Sequence, residues 1–138
     1  MKRDVDGLPI VGSNSKELGV RVPPNPHADV DVKPDGTVEL NGKGMSVAKH
    51  WTLLRSHLIP TRLSHIRPGA GGPDSLACYR IGEGTFSVGP LNDDLELCLK
   101  PGQTESGNIV PSRVMPIGEF QRALGATRGE WAVEETAP

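Results

Sequence analysis

The stretch that most constrains this chain runs from Pro34 to Leu58, PDGTVELNGKGMSVAKHWTLLRSHL. It contains two turn signals, Pro34-Asp35-Gly36 and the glycine-rich run from Asn41 to Gly44. Glycine adopts positive φ at little cost, so both runs favour sharp changes of chain direction. The second turn leads into Met45-Ser46-Val47, where the backbone would present a hydroxyl and bare amides to a ligand. The same sequence is also typical of the end of an ordinary hairpin.

Hydrophobic periodicity predicts mainly strands. Ala28, Val30 and Val32 alternate with polar residues, and Val38 and Leu40 resume the alternation after the first turn. Residues 28–40 are therefore predicted to form a hairpin. Further strands are predicted at Leu76–Ile81, Thr85–Val88, Leu95–Leu99 (with Glu96, Cys98 and Lys100 on the polar face) and Ile109-Val110, while Trp131-Ala132-Val133 fits a closing strand or a helical tail.

Two helices are predicted. Val47, Trp51, Leu54 and Leu58 recur at spacings of four, three and four, which is one helical stripe, and Ser46 stands at its N-cap position. A second helix is expected to open at Pro116, with Ile117, Phe120 and Leu124 on one face. The predicted class is α+β: an N-terminal arm over residues 1–19, then a single domain over residues 20–138 with a mainly antiparallel sheet and two flanking helices.

Composition disfavours nucleic acid and membranes as partners. The chain has 15 basic and 17 acidic residues, a net charge of −2, and no block of like charge that would attract a phosphate backbone over a large surface. No signal-peptide core and no apolar run long enough to span a bilayer are present. The sequence predicts a cytoplasmic protein with Cys78 and Cys98 as thiols, and export by a route without a Sec signal would leave no trace of this kind.

Two longer stretches resemble a known family. HADVDVKPDGTVELNGKGMSVAKHW resembles the central motif of the toxin family named for the second type VI secretion exported effector, with its Asp-hydrophobic pair, Asp-Gly turn, glycine-rich turn and following hydroxyl residue. SGNIVPSRVMPIGEFQRALGATRGEW resembles the end of the same family. The similarity covers roughly residues 20–131 and consists of short, glycine-weighted motifs.

The resemblance implies an ADP-ribosyltransferase-like fold, in which a small split β-sheet core holds NAD in a cleft. It also implies cytotoxic activity in the cytoplasm, restrained by a cognate immunity protein. Ser46 matches the family's hydroxyl residue, and Arg21 stands upstream where the family also has a basic residue, at a different spacing. The catalytic glutamate that such enzymes carry on a late strand has no clear counterpart in this chain.

A site that breaks the nicotinamide–ribose bond needs cations for the pyrophosphate, a group that orients the ribose, and a carboxylate for the developing positive charge. Arg21, Ser46 and Glu83, the last in a turn between glycines, are the predicted catalytic residues. Met45, Ser46, His57 and Arg113 are the predicted contacts to NAD. The alternatives are structural: an N-cap role for Ser46, a solvated edge strand for Arg21 and Arg113, and surface positions for Glu83 and His57.

No metal is predicted. His50 and His57 lie seven positions apart, and neither they nor the two cysteines show the close spacing of zinc ligands. The loop RPGAGG over residues 67–72 resembles a phosphate cradle, but it lacks the lysine of a P-loop. The alternative function is a non-enzymatic protein-binding domain on the same fold, with a degenerate nucleotide cleft.

Overall fold

Two antiparallel sheets organise the computed structural model, which describes residues 1–84 and 86–138. The larger sheet places its strands in the order β1 (Met45–Ala48), β5 (Ser106–Pro111), β4 (Leu95–Leu99) and β3 (Gly89–Pro90). The smaller sheet pairs β2 (Tyr79–Ile81) with β6 (Trp131–Val133). The helix α1 (Ile117–Ala126) and short 3-10 turns at Trp51–Leu53, Ser56–Leu58, Thr61–Leu63 and Arg128–Glu130 complete the elements.

The predicted α+β class with mainly antiparallel strands is confirmed. The strand predicted at Leu95–Leu99 has those bounds, and Leu95 and Leu97 turn into the core. The helix predicted after Pro116 begins at Ile117, with Phe120 and Leu124 buried. Trp131–Val133 is a strand, the first of the two alternatives.

The prediction of two flanking helices is wrong, because the stripe from Val47 to Leu58 is not helical. Its first residues form β1, which pairs with β5, and 3-10 turns follow. A helix of this length is marginal on its own, so tertiary contacts decide the local structure. Here Val47 packs on one hydrophobic cluster and Trp51 on another, which a single helical face could not do.

The remaining strand predictions are met in part. The turn at residues 34–36 is present, with Val32 opposite Val38, but the pairing does not extend into longer strands. The strand expected at Leu76–Ile81 is shortened to β2, and the one at Ile109-Val110 is extended to β5. Thr85 lies outside the described residues, and residues 86–88 form no strand.

Two hydrophobic clusters hold the domain together. The larger joins α1 to the larger sheet and to the N-terminal segment through residues such as Phe120, Ile109 and Leu18. The smaller surrounds Trp51 beneath the 3-10 turns and includes Ile59 and Cys78. Residues 1–19, predicted as an arm, contact the rest of the domain, since Leu18 is fully buried and the Met1 ammonium donates a hydrogen bond to the Ala77 carbonyl at 2.7 Å.

In the part of the chain that the structure describes, no helix combines the length and the apolar character needed to cross a bilayer.

Candidate functional site

A cleft of about 950 Å³ opens beside the free edge of β1. Its walls come from β1, from the smaller sheet and from the 3-10 turns over residues 51–58. Of the predicted site residues, Arg21, Met45, Ser46 and His57 line this cleft. Glu83 and Arg113 do not line it.

The glycine-rich turn delivers Ser46 to this edge. A Cβ on Gly44 would lie 2.1 Å from the Ile109 carbonyl oxygen, so close approach to β5 requires glycine there. The structure places Ser46 inside β1, opposite Asn108 of β5, and not at a helix N-cap. The Lys49 amide donates to the Glu105 carbonyl, so by the alternation of antiparallel pairs the amide and carbonyl of Ser46 point away from β5, toward the open edge.

Ser46 contacts a lysine that follows β4, the strand on the other side of β5. Lys100 comes directly after β4 and donates a hydrogen bond from its Nζ to the Ser46 Oγ. β5 separates the two strands, and Ser46 and Cys98 are both paired with Asn108, so these side chains share one face of the sheet. Burial lowers the pKa of Lys100, the nearby Arg55 lowers it further, and Asp29 opposes the shift.

Arg21 is held by a carboxylate. Its Nε and Nη2 donate to Asp29 at 3.2 and 2.8 Å, and its backbone amide donates to the same carboxylate at 2.7 Å. The hydrogen bonds from Asp29 raise the pKa of Arg21. Both residues line the cleft, so the guanidinium is present at the site but already paired.

The other predicted contacts differ in what they can offer a ligand. His57 is exposed in the cleft wall, whereas the Met45 side chain is 9% exposed and belongs to the larger core. Glu83 is exposed in its turn, where its carbonyl accepts a hydrogen bond from Arg80 at 2.7 Å. Arg113 donates to Asp94 at 2.7 Å and to Glu119 at 2.9 Å.

Several residues that line the cleft were not predicted from the sequence as site residues. Lys100 was visible only as a polar position of a predicted strand, and nothing in the sequence showed that this strand lies one strand away from Ser46. Arg55 lies in the stretch from Val47 to Leu58 that the sequence predicts to be helical, but it is not one of the apolar positions of that prediction. Glu134 immediately follows β6, and its amide continues the ladder by donating to the Cys78 carbonyl at 2.9 Å. Its position after the last strand was the available signal.

The cleft carries positive charge in a chain whose net charge is negative. Six basic side chains line it, namely Arg21, Lys43, Lys49, Arg55, Arg80 and Lys100. Three carboxylates line it, namely Glu17, Asp29 and Glu134. Because the chain as a whole has a net charge of −2, this excess of cations is local and favours an anionic ligand.

Apolar side chains form the remainder of the lining. Tyr79 and Phe86 contribute half-buried aromatic surface, whereas Trp51 and Trp131 adjoin the cleft from the core and are only 4% and 6% exposed. Leu53 and Val88 are 45% and 61% exposed at the rim. A concave surface that combines apolar walls with a few convergent polar groups is the usual form of a small-molecule site. The arrangement suits a ligand with both rings and negative charge.

Among the described residues, no group of three or more His, Cys, Asp or Glu side chains is arranged to hold a metal ion. Comparison of the chain with protein-family models, with curated proteins and with solved structures finds no match.

Proposed function

We propose that this cleft binds NAD and that the protein is an ADP-ribosyltransferase-like cytotoxic enzyme acting in the cytoplasm. The observation that carries the proposal is the convergence of Ser46, Arg21 and further cations with apolar and half-buried aromatic side chains in one cleft. A dinucleotide has two rings that suit aromatic and apolar surface, and a pyrophosphate that suits the excess of basic side chains.

Ser46 is the proposed contact to the nicotinamide ribose. Its hydroxyl stands at the open edge of β1, and its outward backbone amide gives a second polar group at the same point. Orienting the ribose relative to a carboxylate lowers the barrier to bond cleavage without any covalent role for the serine.

Glu134 is the proposed carboxylate, in the role that the sequence analysis gave to Glu83. It lines the cleft at the end of the last strand, and its Oε1 lies 3.6 Å from the Arg80 Nη1. In the hydrolytic reaction, water adds to the ribose carbon as the bond to nicotinamide breaks, and the products are ADP-ribose, nicotinamide and a proton. A carboxylate stabilises the positive charge that develops on the ribose.

A toxin that consumes NAD would harm the cell that makes it. We therefore propose a cognate immunity protein as the partner, and delivery into a target cell by type VI secretion. Both proposals follow from the family resemblance of residues 20–131.

Two observations favour the alternative, a protein-binding domain with a degenerate cleft. Arg21 is already neutralised by Asp29, and Glu83 stands outside the cleft. Such a domain would show no binding of NAD and no loss of NAD in cells that express it.

The decisive experiment compares Ser46→Ala with Ser75→Ala. Ser75 is exposed and does not line the cleft, so it controls for the loss of a hydroxyl elsewhere. Each variant is expressed in a bacterium whose intracellular NAD is monitored, and the purified proteins are tested for thermal shifts with NAD. We expect wild type and Ser75→Ala to deplete NAD and arrest growth, and Ser46→Ala to do neither while melting at nearly the wild-type temperature.

Full toxicity of Ser46→Ala would remove this serine from the site. A wild-type protein that neither shifts with NAD nor depletes it would reject the enzyme and favour the binding domain.

A further inference from the structure

The six basic side chains of the cleft fall into two groups. Three already contact a carboxylate: Arg21 with Asp29 at 2.8 Å, Lys43 with Asp31 at 3.0 Å and Arg80 with Glu134 at 3.6 Å. Lys49, Arg55 and Lys100 form no ion pair with any described residue. An arginine that already binds a carboxylate has fewer donors left for a phosphate, and its charge is already balanced.

Two of the unpaired cations share the cleft and repel each other. Arg55 and Lys100 both line it, the charge of Arg55 lowers the pKa of Lys100, and Lys100 is half-buried. Two like charges in a partly desolvated cleft repel each other, and a bound anion would relieve that repulsion. Asp29 is the carboxylate that acts on Lys100, and its oxygens are already hydrogen-bonded to Arg21.

Neutral donors complete this group. The Ser46 hydroxyl contacts the Lys100 ammonium, and the Ser46 amide points to the open edge of β1. A lysine ammonium, an arginine fork and an outward amide together form a set of donors that matches phosphate oxygens, and the hydroxyl beside them is left for the adjoining ribose.

We infer that Lys100 and Arg55, with the outward backbone amide of Ser46, form the pyrophosphate-binding subsite of the cleft, in place of Arg21. This inference rests on the proposed function for its ligand, the pyrophosphate of NAD. Arg21 then has a structural role, since its pair with Asp29 fixes the segment that enters the core at Val20 and Val30.

The test measures the binding of inorganic pyrophosphate and of NAD by isothermal titration to the full chain and three variants. Lys100→Met and Arg55→Gln each remove one proposed contact. Lys43→Met is the matched control, because it removes one positive charge from the same cleft at a lysine that Asp31 already holds. We expect Lys100→Met and Arg55→Gln to weaken both ligands roughly tenfold or more, since each loses a charged hydrogen bond, and Lys43→Met to change them less than about fivefold.

The outcomes separate this inference from the proposed function. Equal weakening by Lys43→Met, or NAD binding that is unchanged in Lys100→Met and Arg55→Gln, overturns the subsite. Binding of pyrophosphate that depends on Lys100 and Arg55, without any binding of NAD, supports the subsite and rejects NAD as its ligand. Binding of both ligands with the expected pattern supports both.

Discussion

Two arginines outside the cleft differ in their partners from two basic side chains inside it. Outside it, Arg113 bonds to two carboxylates, Asp94 and Glu119. Arg128 likewise bonds to two, Asp4 and Asp6, and its Nε donates to the Pro9 carbonyl at 2.9 Å. Inside the cleft, Arg55 and Lys100 have no such partners among the described residues.

Arg113 and Arg128 join segments of the chain through their ion pairs, whereas Arg55 and Lys100 are cations that we propose for a ligand. Arg128 ties the N-terminal segment to the end of α1 across more than a hundred residues of sequence, as its bond to Asp6 spans 122 positions. Lys100 joins nothing distant except the Ser46 hydroxyl, and burial lowers its pKa. A half-buried cation with a lowered pKa on a concave surface is a candidate binding residue.

The largest effect should come from the region outside the cleft, at Phe120. This side chain of α1 is fully buried within the larger hydrophobic cluster, and Phe120→Ala should lower the free energy of unfolding by about 3–5 kcal/mol. Urea denaturation measures the loss. Arg122→Ala, on the exposed face of the same helix, is the control and should change it little. A loss of similar size in both variants would contradict the core assignment.

A smaller loss is expected for Arg128→Gln, which frees Asp4 and Asp6. Its melting temperature should fall below that of wild type near neutral pH, less so in high salt, while NAD binding stays unchanged. The hydrogen bond from Arg128 lowers the pKa of Asp6 below its ordinary value of 3.8. The contribution of the pair is therefore present above that value and is lost as the pH falls through the lowered pKa.

Melting curves of wild type and Arg128→Gln at decreasing pH check this sign. The gap between the two proteins should close in acid. A gap that does not narrow as the pH falls further and further below 3.8 would show that the ion pair is not its cause.

The smallest effect on stability should come from the cleft, in Lys100→Met. Because the pKa of Lys100 is lowered from 10.5, the unfolded chain holds this proton more readily than the folded one. Wild-type stability therefore rises with pH between the lowered pKa and the ordinary value, and at neutral pH the charge is a small cost. We expect Lys100→Met to melt at the wild-type temperature or slightly above it by differential scanning calorimetry.

A fall in melting temperature as large as that of Arg128→Gln would place Lys100 with the structural cations. Lys100 would then be a structural residue and no longer a candidate ligand contact, and the contrast between Arg128 and Lys100 would fail.

The sequence predicted the elements whose local signals agree with their tertiary contacts. The alternation at Leu95–Leu99 gave β4, because the same residues that alternate also point into the core. Pro116 and the apolar positions after it gave α1 for the same reason. The stripe from Val47 to Leu58 failed, since its apolar residues divide between two clusters that the sequence does not distinguish.

The site residues also divide into those that local sequence indicated and those that only the tertiary structure brought to the cleft. The glycine-rich turn identified Ser46 as a residue presented at the surface of the fold, and the close approach of Gly44 to Ile109 supplies the physical reason for its glycine. Lys100, Arg55 and Glu134 reach the cleft only through strand order and the path of the 3-10 turns. Glu83 was named because it lies between glycines, and that local feature carries no information about which cleft it faces.

By itself, the sequence determined the class of the fold, the bounds of β4, the start of α1 and the exposed position of Ser46. These depend on the periodicity of side chains and on the conformational freedom of glycine, which act over a few residues. The tertiary structure alone decided that β1 forms a free edge, that Lys100 lies beside Ser46, and that Arg21 is neutralised by Asp29. Those facts depend on pairing between distant segments, where the free energy of packing and of charge pairing selects among arrangements that local sequence leaves equal.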